Sequence, residues 1–152
     1  MKIKTKGTPC LHMESRPLTQ VNKNVLKFAA KMLNVMAKEN GVGIAAPQVG
    51  KNIQLCAMVD HENQQIVVMI NPRIIKWSTE TSIQEEGCLS CPGETVFVER
   101  ANEVEVDYVG IDGEPKKAIC KGIDARIIQH ELDHLEGVLI VDHEDKRPGN
   151  SD

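Results

Sequence analysis

Two histidines four residues apart carry the clearest chemistry in the chain. In Gln129-His130-Glu131-Leu132-Asp133-His134, helical spacing puts His130 and His134 on one face, where both imidazoles can converge on one metal ion. The face runs back through Ile127 and Ile123, so the ion would have an apolar wall beside it. Glu131 is rotated about 100° from His130. It can stand near the ion without ligating it, as the general base does in H-E-x-x-H metalloenzymes. A histidine pair can also be mere decoration of an amphipathic helix. Asp133 alone reads as helix surface, or as a group that steadies a ligand or an arginine.

Two ligands are too few for a tight transition-metal site. Candidates for the third are Cys88, Cys91, Cys120, Cys10, Cys56, His12, His61 and His143. The segment Glu85-Glu86-Gly87-Cys88-Leu89-Ser90-Cys91-Pro92-Gly93 stands out. Gly87 removes side-chain bulk where the backbone must approach something. Cys88 and Cys91 form a C-x-x-C. If both ligate, Cys88, Cys91, His130 and His134 close a tetrahedral structural zinc site; if only Cys88 does, a position stays open for water and the site is catalytic. The gap from Cys91 to His130 far exceeds the finger spacing of about 12–15 residues, and a structural zinc gives no reason for Glu131. Both points favour the open site.

A third segment, Gly41-Val42-Gly43-Ile44-Ala45-Ala46-Pro47-Gln48, is small and apolar. It matches no phosphate-binding loop. Its glycines let another backbone come close, so an extended peptide could add along this edge through main-chain hydrogen bonds. Gln48 can donate to a developing oxyanion. Alone, the segment reads first as a tight helix-to-strand turn with small residues packed in the core.

The elements that must position these groups follow from periodicity. Residues 7–21 read as loop or extended chain. A helix is expected from Asn22 to Glu39, with Val25, Phe28, Ala29, Met32 and Met36 on one face and Asn40–Gly41 as its stop. Strands are expected at Ile53–Val59, Ile66–Ile70 and Val104–Tyr108, the last pairing with Lys116–Cys120 through a turn at Asp112–Gly113. The second helix runs from about Ile123 to Glu136 and ends at Gly137. Val138–Val141 follows as a short strand or packed extension, and 143–152 as a loose polar tail. This order suits a single α+β domain over residues 1–152, with mostly antiparallel β-sheets around a central metal-binding helix.

Composition excludes other classes. At 152 residues, 41% of them hydrophobic, one core can form without disulfides or oligomerisation. A net charge of -4 and only 3% aromatics argue against nucleic-acid binding and base stacking. No apolar run reaches the ~18 residues of a membrane span. No signal core precedes the five cysteines, so reduced thiols in the cytosol are expected.

Taken together, GVGIAAPQ, EGCLS and HELDH, in that order, resemble the three signature motifs of the peptide deformylases. The likeness extends from about the first helix to Asp142. It implies a metal-dependent hydrolase that removes the N-formyl group from the N-terminal formylmethionine of nascent polypeptides, in the cytoplasm of a bacterium or a phage-infected one. By matching position, Cys88, His130 and His134 would hold one divalent metal, Fe(II) in the cell, with nickel, cobalt or zinc as replacements. Glu131 would act as general acid and base toward metal-activated water. Gln48 and the Leu89 N–H would stabilise the oxyanion. Gly43 and its neighbours, with Gly87 opposite, would pair with the substrate backbone. Val42, Ile44, Ile123 and Ile127 are candidates for the apolar methionine pocket. Glu86 and Arg100 match positions paired as an ion bridge, though a solvated reading of each is also open.

Some positions depart from the family pattern. Cys91 stands where an aliphatic residue is usual; it reads as a packed thiol, but it keeps the closed zinc module open as an alternative, beside a metallohydrolase of another N-acyl amine. Thr95 replaces a frequent arginine near the substrate. Cys10 and His12 read as structural. Pro148–Gly149 discourages a terminal helix. A monomer is expected, and no cationic cluster supports docking on the ribosome.

Overall fold

The first helix forms where its cap and its apolar face coincide. In the computed structural model, which describes residues 1–149, α1 spans Lys23–Lys38. The Asn22 side chain accepts the Val25 N–H at 3.0 Å, satisfying one of the unpaired donors of the first turn. Val25, Ala29, Met32 and Met36 are buried on one face. Asn40, at φ 54°, ends the helix and turns the chain into β1.

Six further strands follow. The elements are β1 (Gly43–Ala45), β2 (Leu55–Asp60), β3 (Gln65–Trp77), β4 (Thr81–Glu86), β5 (Val96–Ala101), β6 (Glu103–Val109) and β7 (Pro115–Lys121), then α2 (Ile123–Leu135). Five strands make an antiparallel sheet in the order β1-β2-β3-β6-β7, and β4 pairs with β5 in a separate ribbon. The expected α+β architecture, mostly antiparallel around a central helix, is the one found.

Strand alternation divides the core. Ile44, Leu55 and Ala57 face α1, where they pack with Met32 and Met36. Ala45, Cys56 and Met58 face the other way, toward Ala125, Ile127 and Ile128 of α2. The sheet is thus covered by a helix on each face at this end, and α2 lies between the sheet and the β4–β5 ribbon, touching β1, β2, β5 and β7. A smaller cluster of Leu11, Cys91, Val96, Val98, Leu139 and Ile140 fills the space under the ribbon.

Several expectations need adjustment. The β4–β5 ribbon has no counterpart in the sequence reading: β4 is polar and buries Glu86, and the inner face of β5 joins Val96 and Val98 to the charged Arg100. Of the two readings of Val138–Val141, the packed extension holds and the strand does not: Leu139 and Ile140 are buried and a short 3-10 turn forms at Ile140–Asp142. Residues 143–147 are not loose. Asp145 accepts the Phe97 N–H at 3.1 Å, Lys146 donates its N–H to the Phe97 carbonyl at 2.8 Å, and the Arg147 guanidinium lies 5.3 Å over the Phe97 ring. The edge of β5 therefore ties down a segment whose composition alone reads as solvated. The end of the expected tail, residues 150–152, lies outside the described residues.

Candidate active site

Helix α2 brings His130 and His134 to the surface of a cleft, their ring centroids 5.0 Å apart. Cys88, on the loop after β4, approaches from the other side. Its Sγ lies 3.4 Å from His134 Nε2, and one ligating atom from each of the three residues falls within 4.8 Å of the others. These spacings fit a metal ion. With bonds of about 2.3 Å to sulfur and 2.0 Å to nitrogen at a tetrahedral angle, the two ligand atoms stand roughly 3.5 Å apart.

Behind the trio lies a buried ionic network. Glu86, at the end of β4, accepts from His130 Nδ1 at 3.1 Å, from Arg100 Nε at 2.6 Å and Nη2 at 2.9 Å, and from Arg126 Nη1 at 2.6 Å. Burial alone would raise the Glu86 pKa, but the hydrogen bonds from His130 and Arg100 outweigh it and hold the carboxyl far below its ordinary range. Arg100 also donates to Asp133 at 2.9 Å, and Asp133 meets His143 Nε2 at 2.8 Å. The Glu86 contact at His130 Nδ1 fixes the tautomer that presents His130 Nε2 to a metal. Burial opposes a charge on His130, yet its hydrogen bonds to Cys88 and Glu86, with Glu131 nearby, push it up to about 10. The space beside Cys88 and Glu86 thus favours positive charge. Burial and the His130 charge push His134 the opposite way.

Glu131 is buried and its Oε1 has no hydrogen-bond partner among the described residues. Burial pushes its carboxyl up to about 7, against the pull of His130 and Arg100. Across from it, Gly43 has no room for a side chain: a Cβ there would overlap the Glu131 carboxylate and stand 3.0 Å from Ile127 Cγ2. Gln48 is locked by the Ala45 N–H, which donates to its Oε1 at 2.9 Å. Its Nε2 lies 3.2 Å from Ser90 Oγ and 3.8 Å from Cys88 Sγ, so the amide donor points into the ligand cluster.

These groups open into a cavity of about 680 Å³. Val42, Gly43, Gln48, Gly87, Cys88, Leu89, Ile123, Ile127, His130 and Glu131 line it; His134 is buried in contact with Cys88. One sequence candidate does not belong. Ile44 is fully buried against α1, on the side of β1 away from the cleft, so its side chain cannot line a substrate pocket; successive strand residues point to opposite faces, and Gly43 took the cleft side. β1 is the edge of its sheet, which leaves its outer backbone groups for a partner strand. The sequence reading missed Arg126, Ser90 and Gln129, whose side chain bonds both backbone groups of Ala101. A signal existed for Arg126: a cation four residues before His130, on an otherwise apolar face, needs a buried anion.

Cys91 is not part of the ligand cluster. It is 1% exposed and packs with Leu11, Val96 and Leu139, and burial with the charge of Cys88 pushes its thiol up to about 11. Among the described residues the group that could hold a metal is Cys88, His130 and His134, without Cys91.

Comparison with known proteins gives the same answer. Residues 1–148 match the family model for polypeptide deformylase. The chain belongs to this family. The peptide deformylase of Dictyoglomus thermophilum is 42% identical over 141 residues, covering 93% of this chain and 90% of that one. The crystal structure of the Thermotoga maritima peptide deformylase has a TM-score of 0.89 at 39% identity, covering 93% and 95% of the two chains. A class I type b peptide deformylase from Acinetobacter baumannii, crystallised with Met-Ala-Ser bound, has a TM-score of 0.89 at 35% identity, covering 95% and 98%. The family activity, metal-dependent deformylation of peptides, is the activity of this chain. No helix of the described residues is long and apolar enough to cross a membrane.

Proposed function

We propose that Cys88, His130 and His134 hold one divalent metal ion and that the chain uses it to deformylate N-formylmethionyl ends of nascent chains. The observation that carries this reading is the pairing of the Cys–His–His cluster with a buried carboxylate, Glu131, which lines the same cavity and whose Oε1 has no partner among the described residues. A metal bound there supplies Lewis acidity toward a carbonyl oxygen and makes water acidic enough to lose a proton near neutral pH. Fe(II) is the ion proposed in the cell, with nickel, cobalt or zinc as substitutes.

The chain's own groups do the rest. The substrate backbone adds to the free edge of β1 beside Gly43, with Gly87 opposite. The methionine side chain lies against Val42, Ile123 and Ile127. Val42 and Ile123 are 46% and 57% exposed without substrate, so covering them contributes binding energy at about 25 cal/mol per Å². Glu131 accepts a proton from the attacking water and delivers it to the departing amine; a carboxyl with a pKa near 7 suits both transfers. Gln48 Nε2 and the Leu89 N–H donate to the oxyanion. Formate and a free amino terminus leave. The setting proposed is the cytoplasm, with the protein acting as a monomer.

Glu131→Gln tests the assignment. With nickel-loaded protein and formyl-Met-Ala-Ser, turnover is expected to fall about 10²–10⁴-fold while metal content stays at one ion per chain. Full activity in the variant would overturn the role of Glu131. Hydrolysis of acetyl-Met-Ala-Ser as fast as the formyl peptide would instead mark a broader N-acyl hydrolase.

A further inference from the structure

The C-x-x-C is not used by the reaction, and its second cysteine calls for an explanation. Cys91 donates its N–H to the Cys88 carbonyl at 3.0 Å. This four-residue turn holds the two Cα atoms within about 7 Å, at the span a disulfide bridges. Both residues line the same cavity, and Cys88 is close enough to act on the Cys91 thiol by charge and hydrogen bonding. Their exposure differs. Cys88 opens to the cleft, whereas Cys91 is 1% exposed beneath it. A small oxidant entering the cleft therefore meets Cys88 first and finds Cys91 behind it. The loop that carries them begins at Gly87 and continues through Pro92 and Gly93, with Gly93 at φ 77°.

We propose that Cys88 and Cys91 form a reversible disulfide when a peroxide reaches the site without its metal, so that Cys91 acts as a resolving thiol that protects the ligand cysteine from irreversible oxidation. The chemistry balances in two steps. The Cys88 thiolate attacks one oxygen of hydrogen peroxide, the O–O bond breaks, and with one proton taken up a sulfenic acid and water result. The Cys91 thiol then attacks the sulfenic sulfur; the S–S bond forms, the S–O bond breaks, and the thiol proton leaves with the hydroxyl as a second water. The two sulfurs lose two electrons, which the peroxide gains. A dithiol reverses the bond by exchange and returns both thiols. Bound metal holds the Cys88 sulfur and competes with the first step. The cross-link also removes that sulfur as a thiolate ligand, so oxidised protein cannot take up metal until reduced.

The consequence for metal binding rests on the ligand assignment of Cys88; the cross-link itself does not. Three other cysteines provide an internal reference. Cys56 and Cys120 are buried in the core between the sheet and α2, and the Cys10 thiol donates to the Pro47 carbonyl at 3.4 Å.

The test treats nickel-loaded and chelator-stripped wild type with hydrogen peroxide, and follows free thiols, intact mass and peptide maps. Stripped wild type is expected to lose two of its five thiols and the mass of two hydrogens, with the cross-link mapped to 88–91. Dithiothreitol and nickel together then restore metal content and turnover, whereas nickel alone does not. Cys91→Ser, and Cys91→Val as a second variant, are expected to fold and turn over like wild type before oxidation. After it they gain two or three oxygen atoms at Cys88 and are not rescued by dithiothreitol. Wild type that gains the same oxygens as the variants, or that links Cys88 to Cys10, overturns the proposal. Failure of untreated protein to bind nickel or turn over would instead count against the ligand assignment, leaving the thiol and mass results to judge the disulfide.

Discussion

Gly43→Ala separates the position of Glu131 from the stability of the fold. The new Cβ would stand 2.9 Å from Glu131 Cδ and 3.0 Å from Ile127 Cγ2. Ordinary contact begins near 3.4 Å, so the carboxylate must retreat by at least about half an ångström. Gly43 does not have a positive φ, and alanine adopts its backbone without strain. The group that yields is the tip of a side chain facing a cleft, not packed backbone. The stability cost therefore falls at the low end of overpacking, about 1 kcal/mol, a Tm change of roughly 2–4 °C for a chain of this size. Catalysis suffers more, because a misplacement approaching 1 Å costs up to about 10²-fold, or roughly 2.7 kcal/mol of barrier. The assay is kcat/KM on a formyl-Met tripeptide, with metal content and Tm measured on the same preparation. Gly41→Ala is the control; its Cβ would meet only the Leu89 Cδ1 at 3.3 Å and softer contacts beyond, and activity should change by no more than a few-fold. A Gly43→Ala enzyme within threefold of wild type, fully metallated, would refute the argument that Glu131 must stay where Gly43 lets it sit.

Other perturbations address the surrounding structure. Glu86→Leu leaves Arg100 and Arg126 buried without their shared anion, and urea unfolding should show a loss of about 3–5 kcal/mol; an unchanged midpoint would mean that the network contributes nothing to the fold. Ile44→Ala should cost about 2–5 kcal/mol in stability and leave KM unchanged, because the residue faces α1. Ile127→Ala should raise KM, because that side chain lines the cleft; the opposite pattern would reverse the strand-face assignment. Chelation should lower Tm, since a ligand present at 100 times its Kd stabilises by about 2.7 kcal/mol, and a divalent metal should restore it; a Tm indifferent to metal would argue against the cluster as a binding site.

Much of this was readable in the sequence where spacing alone decides position. The two helices lie within a residue of their expected limits because apolar periodicity, the Asn22 cap and the turn at Gly137 agree. Four of the five strands of the sheet, β2, β3, β6 and β7, carry apolar runs or an alternation that marks them, β3 only over its first half; the ribbon is not marked, since Glu86 and Arg100 are inward-facing charges whose further partners, Asp133, Arg126 and His130, come from elsewhere in the chain. Pairing across such distances leaves no local signature. Ile44 shows the complementary failure. A glycine-rich segment says that something approaches closely, but not which face of a three-residue strand it approaches from. The C-terminal segment reads as polar and loose because its anchor, the free edge of β5, belongs to that same undetected ribbon.

With the proposed ligands Cys88, His130 and His134, the network also bears on the charge of the ion that suits the cluster. Glu86 and Asp133 carry two negative charges, and Arg100 and Arg126 carry two positive ones in direct contact with them. These four cancel. What remains in the buried site is Cys88 and Glu131, which together contribute two negative charges when both are ionised. A divalent cation leaves the site neutral, whereas a trivalent one leaves an uncompensated buried charge, and such a charge costs several kcal/mol. Burial raises the Glu131 carboxyl, and hydrogen bonds to Cys88 and Glu86 hold the proton on His130. The second set of charges is therefore more than a scaffold for ligand geometry. By cancelling among themselves they leave the proposed ligand Cys88 and the proposed base Glu131 to set the charge of the ion that fits, and they do so from positions outside the proposed ligand set.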